Sequence, residues 1–410
     1  MLKDYKWKFN TVNQLHIELS TYCNAACPMC PRTVQLADSS SLPNVRPDLI
    51  LESISIENFK KWFPPSFVPQ IRMWLFCGTH GDPMMNKDIL EILKYLCEYE
   101  NTIFINTNGG MRTPAFWSEV GDLFSKGLTY KRQRQITFSM DGLWDTNHLY
   151  RRNVSFEKAI TNAKAFIDAG GHANWDFLIF KHNEHQLGEA EKLAKKIGAT
   201  FSPKRPFGFE THEPDVYQDL MVYDEQGNFI YRIEPATEQF RLNHSVKKFE
   251  ISEDKIWLPN DKPTKESIDK KWNDVINNNL TDFEFPERFK GKAVNCKSCH
   301  QAGMEIYVDC KGNVMPCCFV GTMHNSNFQN NETLQIRKEI NNYGKDKINL
   351  NNYSLVEILD SDYLDSVYVN RWENAKSDKD KMVYCFSTCS TDHMKDLFVK
   401  KDGLPISEII

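Results

Sequence analysis

Short apolar segments alternate with helical patterns through the first half of the chain. The proposed strands cover residues 15–20, 71–77, 102–108, 135–141, 174–180 and 199–204. Between them, apolar residues recur every three or four positions, which is the spacing of one helix face. Repeated strand–helix units predict a parallel sheet with right-handed crossovers. Because six units fall short of the eight that close a full barrel, the sequence predicts an α/β fold with a partial, TIM-like (β/α)6 barrel.

The chain divides into three predicted regions. The partial barrel occupies residues 1–204. Residues 205–290 contain proline-punctuated charged stretches without a clean strand–helix repeat, so we interpret them as an insertion or bridging segment. Order resumes in a small C-terminal domain at 291–410, with a predicted β-hairpin within 305–320 and a helix near 354–372.

The charge balance argues against several classes of partner. Lys and Arg total 50 and Asp and Glu total 55, which gives a net charge of −5. Without a basic excess, we expect neither a nucleic-acid partner nor a membrane surface. The sequence contains no run of about 18 apolar residues, so it predicts no membrane-spanning helix. The N-terminal residues lack the apolar core of a secretory signal, so we expect a cytoplasmic protein.

The 12 cysteines are unevenly distributed. In a reducing compartment they serve as metal ligands or buried thiols more often than as disulfides. Cys77 and Cys97 stand alone, and we interpret them as buried thiols. The others gather near the two ends of the chain: Cys23, Cys27, Cys30, Cys296, Cys299, Cys310, Cys317, Cys318, Cys385 and Cys389. This distribution indicates two binding centres separated by a long cysteine-poor region.

The N-terminal cysteines form a compact triad. Cys23, Cys27 and Cys30 have C-x3-C-x2-C spacing directly after the first proposed strand. Thiolates, usually four, hold iron–sulfur cubanes, so three would leave one iron open to a substrate or cofactor. One alternative is that the three loop cysteines have no common role. The other is a zinc site, but structural zinc would require a fourth ligand nearby.

Further polar segments follow the later strands. GTHGDP (78–83), NTNGG (106–110), FSMDGL (138–143) and FKHNEH (180–185) come after strands two to five. Ligands of open parallel sheets bind at the carboxyl ends of the strands, so these segments should meet there.

The triad and the ordered segments together resemble the radical S-adenosylmethionine (SAM) superfamily, over residues 12–204 and 291–395. The resemblance implies that the triad binds a [4Fe-4S] cluster whose open iron chelates SAM. Met29 departs from the family pattern, because the residue before the third cysteine is often aromatic there. GTHGDP is similar to the segment whose backbone holds the methionine amino group, with His80, Gly81 and Asp82 replacing Gly-Gly-Glu.

The same resemblance implies roles for later residues. NTNGG, with Asn108, resembles the third-strand motif of the family. Ser139 and Asp141 would lie beside the ribose, and Arg151 would pair with the methionine carboxylate. His182, in FKHNEH, would approach the adenosine.

Each of these residues has a simpler interpretation. His80 and Asp82 would cap a helix that begins near Asp88. Asn108 would belong to an ordinary Asn-Gly turn. Arg151 would be a solvated surface charge, and His182 a surface histidine.

The C-terminal cysteines predict a second centre. Cys296, Cys317, Cys385 and Cys389 resemble the short "twitch" form of a SPASM-type domain, which implies an auxiliary [4Fe-4S] cluster. Cys299 is a close substitute for Cys296. The remaining cysteines of this region, Cys310 and Cys318, are interpreted as spare. A zinc site built from separated cysteine pairs is the alternative.

The resemblance also implies the chemistry. Reductive cleavage of SAM would give a 5′-deoxyadenosyl radical that abstracts hydrogen from an unactivated carbon. The electron would come from a flavodoxin- or ferredoxin-type donor. Four thiolates on the auxiliary cluster favour a net oxidation, such as crosslinking or dehydrogenation, in which that cluster takes up the electron of the substrate radical.

The substrate is the least constrained part of the prediction. We favour a peptide or protein side chain, because residues 205–290 would build a wide substrate wall. About twenty residues precede the triad, so we expect no N-terminal leader-peptide-binding domain. The alternatives are dehydrogenation or epimerisation of a small sugar, aminocyclitol or nucleotide and, in another class, a non-enzymatic structural zinc protein.

Overall fold

A computed structural model describes most of the chain. The described residues are 8–35, 40–46, 49–126, 133–206, 216–240, 245–247, 285–294, 296, 305–325, 331–372, 375 and 377–390. The chain divides into two compact units. The first comprises Met1–Leu19, Glu52–Leu75 and Pro263–Ile410, and the second comprises Ser20–Leu51 and Phe76–Lys262. The region boundaries predicted after residues 204 and 290 stay predictions.

Strands and helices alternate along the first half of the chain, as predicted. The strands are β1 (Gln14–Ile17), β2 (Thr33–Gln35), β3 (Ser40–Val45), β4 (Met73–Cys77), β5 (Thr102–Thr107), β6 (Arg134–Ser139), β7 (His172–Leu178), β8 (Thr200–Lys204), β9 (Val216–Gln218), β10 (Leu220–Tyr223), β11 (Phe229–Ile233), β12 (Ser245–Lys247), β13 (Glu305–Val308) and β14 (Val314–Met315). The helices are α1 (Ile56–Trp62), α2 (Ile89–Cys97), α3 (Pro114–Ser125), α4 (Asn147–Tyr150), α5 (Phe156–Asp168), α6 (Leu187–Ile197), α7 (Cys318–Asn325), α8 (Asn331–Tyr343), α9 (Leu355–Asp360), α10 (Tyr363–Val367) and α11 (Val383–Cys389). The six predicted barrel strands correspond to β1 and β4 to β8.

The second unit contains four parallel strands in the order β5, β6, β7, β8. One face of these strands packs against helices. Phe138 of β6 contacts Trp117 of α3, with ring centroids 5.1 Å apart, and Phe166 of α5 at 6.0 Å. Trp175 of β7 is fully buried and contacts Phe156 of α5 at 5.8 Å. This apolar face fixes the strands against the helix layer.

The opposite face of the same strands is polar. Successive strand residues point to opposite faces, so Ser139 and Asp176 lie away from Phe138 and Trp175. Ser139 is level with Asp176 in the β6–β7 register. Lys204 of β8 forms an ion pair with Asp176 at 2.6 Å. Bulky apolar side chains fill the interior of a closed barrel, whereas this face carries hydrogen-bonding groups.

The first unit contains the strand order β14, β13, β1, β4, up to Leu75 of β4. The predicted hairpin is present, because β13 and β14 pair antiparallel through Tyr307 and Met315. The hairpin extends the sheet, since β13 is parallel to β1 with Leu15 opposite Ile306. In the described part of the chain, neither set of four strands closes on itself. The predicted α/β class with an open parallel sheet is therefore confirmed.

A small sheet follows the cysteine loop in the second unit, in the order β11, β10, β3, β2. Its core consists of Leu42, Met221 and Tyr223, with Val34 and Phe229 packed against them. Strands β10 and β11 come from the segment interpreted as an insertion. That segment therefore contributes an ordered antiparallel hairpin, which the sequence analysis did not predict.

The helix predicted near 354–372 is divided. It consists of α9 and α10, followed by the 3-10 helix Val369–Arg371. The break falls at Ser361, whose hydroxyl donates to the carbonyl of Ile358 at 2.6 Å and accepts the N–H of Tyr363 at 3.2 Å. Such side-chain bonds compete with a continuous helix. Among the described residues, no helix has the length and apolarity that crossing a membrane requires.

Candidate functional site

The cysteine triad lies on a loop between β1 and β2. Cys27 is buried, and Cys23 and Cys30 are half-buried. The amide of Cys30 donates to the carbonyl of Cys27 at 3.0 Å. Thr33, at the start of β2, donates its hydroxyl to the carbonyls of Cys30 at 2.9 Å and Cys27 at 3.3 Å. The small sheet thus holds the C-terminal end of the loop.

Nitrogen donors point at two sulfurs of the triad. Cys23 Sγ accepts from the amide of Ala25 at 3.3 Å and from Asn108 Nδ2 at 3.6 Å. Cys27 Sγ accepts from Arg151 Nη1 at 3.8 Å. Hydrogen bonds to sulfur are among the factors that set the properties of iron–sulfur clusters. The donor set and its surroundings therefore fit a thiolate-bound cluster.

Without a metal, the buried surroundings of the triad disfavour ionisation of its thiols. Burial raises the pKa of Cys23, Cys27 and Cys30, for Cys30 to about 11. For Cys27 the charge of Arg151 opposes this rise. Metal ligation requires thiolates, and a bound cation stabilises them directly. The loop therefore suits a positively charged metal core.

Asp82 organises the segment after β4. The carboxylate is buried and accepts from Thr107 Oγ1 at 2.9 Å and from the amides of Asn108 at 2.8 Å and Met84 at 2.9 Å. Burial raises the pKa of Asp82, and these donors oppose the rise. Asp82 caps the 3-10 helix Pro83–Met85 instead of a helix near residue 88. It thereby joins the two predicted motifs GTHGDP and NTNGG.

His80 and Gly81 lie beside the cysteine loop. His80 is buried, at 1% exposure. A Cβ on Gly81 would lie 2.0 Å from the carbonyl oxygen of Ser20, so only glycine allows this close approach. The backbone amide of the next residue, Asp82, donates to the carbonyl of Tyr22 at 2.8 Å. These contacts set the backbone of GTHGDP against the start of the loop.

Asn108 has both predicted features. It lies at a turn, with Gly109 at a φ of 70°. Its side chain also donates to Asn24 Oδ1 at 2.9 Å, within the cysteine loop. The turn interpretation is therefore correct but incomplete, because the residue also connects β5 to the triad.

Arg151 and Asp141 form a buried ion pair. Arg151 Nε lies 2.5 Å from Asp141 Oδ2, and Asp141 is fully buried. The other carboxylate oxygen of Asp141 accepts the amide of Leu178 at 2.7 Å. Burial raises the pKa of Asp141, and Arg151 opposes this most strongly. Arg151 is thus not a solvated surface charge, since its side chain is 17% exposed.

Three further predicted residues lie in the second unit. Ser139 and Met29 are half-buried, at the end of β6 and in the cysteine loop. His182 follows β7 and stacks on Phe180, with ring centroids 5.2 Å apart. Burial lowers the pKa of His182 to about 4. Its Nε2 atom is buried, and no hydrogen-bond partner lies within reach among the described residues.

The structure adds three residues that the sequence analysis did not single out. Thr107 binds Asp82, and Asn24 binds Asn108. Arg32, two positions after Cys30, is buried at 4% exposure. The only signal in the sequence was position, since Thr107 lies within NTNGG, Asn24 lies within the triad and Arg32 follows it.

Four C-terminal cysteines line one cavity in the first unit: Cys296, Cys317, Cys385 and Cys389. This set is the one favoured from the sequence. Cys299 lies outside the described residues, so its role stays a prediction.

The surroundings of this second cavity are largely apolar. Its lining includes Val294, Phe319, Val320 and Trp372. Burial raises the pKa of Cys317 and Cys385 well above the usual value, and neighbouring thiols raise it further. A bound metal cluster would stabilise the thiolate forms of all four cysteines.

The other cysteines have separate surroundings. Cys310 is buried, and its thiol donates to the carbonyl of Glu18 at 2.9 Å. Cys318 is half-buried at the start of α7 and is absent from the cavity lining. Cys77 and Cys97 are half-buried, although full burial was expected. Cys77 Sγ accepts from Asn106 Nδ2 at 3.3 Å.

Within the described residues, no group of three or more His, Cys, Asp or Glu side chains is arranged around a single metal ion. The thiolates of a cubane bind different iron atoms, so this finding concerns mononuclear sites.

The chain was compared with known protein families, curated proteins and solved structures. Residues 17–197 match the model of the Radical SAM superfamily. This range contains the triad, Asp82, Asn108, Asp141 and Arg151. The comparison with curated proteins gave no match.

Solved structures with similarity to the chain include two proteins. Streptococcus suis SuiB is 15% identical, with a TM-score of 0.41, over 76% of this chain and 61% of the SuiB chain. The chain therefore spans about three fifths of SuiB. Histidine-tagged anSMEcpe with bound AdoMet is 15% identical, with a TM-score of 0.45, over 86% of this chain and 79% of that chain.

Proposed function

Because residues 17–197 match the Radical SAM superfamily, we propose that this chain is a radical SAM enzyme that modifies a peptide or protein side chain by net oxidation. Its cofactors are SAM and a [4Fe-4S] cluster. The observation that carries the assignment of the cofactor site is that Asp82, Asn108 and Arg151 all contact the cysteine loop, at Tyr22, Cys23 and Cys27 respectively.

Cys23, Cys27 and Cys30 would ligate three irons of the cluster and leave the fourth for SAM. When bound, the reduced cluster supplies one electron to the SAM sulfonium, which yields methionine and a 5′-deoxyadenosyl radical that takes hydrogen from a substrate C–H bond. The chain's own residues bind and orient the reactants and exclude competing donors.

The residues around the triad would position SAM. The amide of Asp82 binds the carbonyl of Tyr22 in the cysteine loop, and the adjacent backbone of His80 and Gly81 would meet the methionine amino group. Arg151, held by Asp141, donates to Cys27 Sγ and suits a carboxylate. Met29, Asn108 and Ser139 would line the cofactor, and His182 would face the adenosine, with its uncharged imidazole presenting the buried Nε2.

Cys296, Cys317, Cys385 and Cys389 would ligate an auxiliary [4Fe-4S] cluster, with Cys299 as the substitute for Cys296. Four protein thiolates occupy every iron of a cubane, so this centre would not bind substrate. The electron that the substrate radical loses together with a proton would instead pass to this centre. A flavodoxin- or ferredoxin-type protein would supply the first electron.

The polar face of β6 to β8 supports a hydrogen-bonding substrate. The Asp176–Lys204 pair offers a donor and an acceptor side by side, as a peptide amide requires. The same groups suit the hydroxyls of a sugar or aminocyclitol. Dehydrogenation or epimerisation of such a small molecule, or of a nucleotide, is therefore the second candidate.

The metal content tests the proposed class directly. Anaerobically purified full-length protein should be brown and contain about eight irons per chain, the sum of two cubanes. After reduction it should convert SAM to 5′-deoxyadenosine and methionine. A colourless protein loaded with zinc would show that both centres are structural and would overturn the proposal.

A second assay separates the two substrate classes. The loaded enzyme is incubated with SAM and either a defined peptide library or a panel of polyols, and products are detected by mass spectrometry. A mass loss of two hydrogens on peptides supports the proposal, and the same loss confined to polyols supports the second candidate.

A further inference from the structure

Arg32 is a buried cation beside the cysteine loop. It is 4% exposed and lies two positions after Cys30. Its Nη1 donates to the carbonyl of Thr21, before the triad, and to the carbonyl of His80 at 3.3 Å. The guanidinium therefore spans the two segments that frame the proposed cluster.

The charge of Arg32 lacks a carboxylate partner in the described part of the chain. The ion pairs between described residues do not include Arg32, and its hydrogen bonds go to carbonyls. Carbonyl groups satisfy the donors but carry no net charge. A buried charge without a counter-charge is costly. Arg32 is therefore a buried cation without a direct ion-pair partner among the described residues.

Arg151 gives the contrasting case in the same unit. It also reaches the triad, through Cys27 Sγ, but Asp141 balances its charge at 2.5 Å. Two arginines thus approach the triad, one neutralised and one not. A cubane with three thiolates has a net negative charge in both redox states, and the reduced state is the more negative. The charge of Arg32 complements that group.

We infer that Arg32 is the built-in counter-ion of the triad-bound cluster and stabilises its reduced state. This inference rests on the proposed function, because it requires a cluster on the triad. Net charge and hydrogen bonding are established influences on cluster potential. Arg32 acts as a positioning and tuning residue, because none of its described contacts is with the reacting atoms.

The test is a potentiometric titration of the loaded full-length enzyme, with the triad cluster monitored by EPR in the presence of SAM. In R32Q we expect about tenfold less reduced cluster at a fixed potential, which corresponds to a midpoint about 59 mV lower for one electron. In R32K, which keeps the charge, the midpoint should stay nearer to that of the wild type.

R112Q is the matched control. Arg112 also donates to two carbonyls in the second unit, those of Met84 at 2.8 Å and Asn86 at 2.5 Å. Its hydrogen bonds among the described residues go to these two carbonyls and not to the triad loop. Loss of a two-carbonyl contact alone should therefore leave the midpoint unchanged in R112Q.

Each outcome decides the inference. A lowered midpoint in R32Q with an unchanged R112Q supports it, as does loss of cluster from R32Q but not from R32K. An unchanged midpoint in R32Q overturns it, and so does equal loss of cluster from R32Q and R32K, which would indicate a merely structural contact. A wild-type protein without an iron–sulfur cluster would instead overturn the proposed function.

Discussion

The two cysteine centres use the same side chain in opposite surroundings. At the triad, amide and guanidinium groups donate to Cys23 and Cys27, and two arginines lie close by. At the C-terminal centre, the cavity around Cys317 and Cys385 is lined mainly by apolar and aromatic side chains. In the proposed function the triad would leave one cluster position for a charged ligand, whereas four thiolates would enclose a cluster completely. The different surroundings agree with the two roles proposed, SAM activation at the triad and electron uptake at the C-terminal centre.

Removal of the triad should have the largest effect. The variant with Cys23, Cys27 and Cys30 replaced by alanine should lose reductive SAM cleavage entirely, because no other described cysteine belongs to this loop. The assay is formation of 5′-deoxyadenosine under reducing, anaerobic conditions. The iron content should fall by about four per chain. Persistent cleavage in this triple variant would refute the assignment of the ligands.

Removal of the C-terminal pair should separate the two centres. With Cys385 and Cys389 replaced by alanine, we expect loss of about four irons while uncoupled SAM cleavage is at least partly retained. C310A is the matched control, since Cys310 is a buried cysteine of the same unit whose thiol contacts the carbonyl of Glu18. It should keep both clusters. If the C-terminal double variant lost the spectrum of the triad cluster, the division between the centres would be wrong.

The cysteines proposed for each of the two centres could be chosen from the sequence, because their spacing and position in the chain are local signals. The six barrel strands were also predicted, because period-two and helical patterns are local signals. Arg32 and Thr107 could not be predicted, because their importance depends on contacts between separate segments. The β10–β11 hairpin was missed for the same reason, since its core partner Leu42 lies far away in the sequence.

The C-terminal region shows where local patterns mislead. Residues 354–372 have helical periodicity, yet Ser361 interrupts the helix with its own hydrogen bonds. In the second unit, the interpretation of Arg151 as a surface charge was also wrong. Its burial beside Asp141 depends on tertiary contacts that a local sequence pattern does not contain.

The smallest expected effect is on stability, through the buried ion pair between Arg151 and Asp141 beside the triad. R151Q should lower the free energy of unfolding by about 3–5 kcal/mol, because it leaves the buried Asp141 carboxylate without its partner. The double variant D141N/R151Q should recover part of this loss, since both charges are then removed. Urea denaturation of the metal-free proteins measures the difference. The single variant D141N completes the cycle, and losses in the two single variants that simply add up to the loss in the double variant would show that the ion pair is not coupled.

Whether the triad holds a cluster with one iron open to SAM is tested most directly by the EPR spectrum of the reduced variant with Cys385 and Cys389 replaced by alanine. The spectrum is recorded with and without SAM. We expect a single cluster signal that changes when SAM binds. A cluster signal that SAM leaves unchanged would contradict the proposed role of the triad.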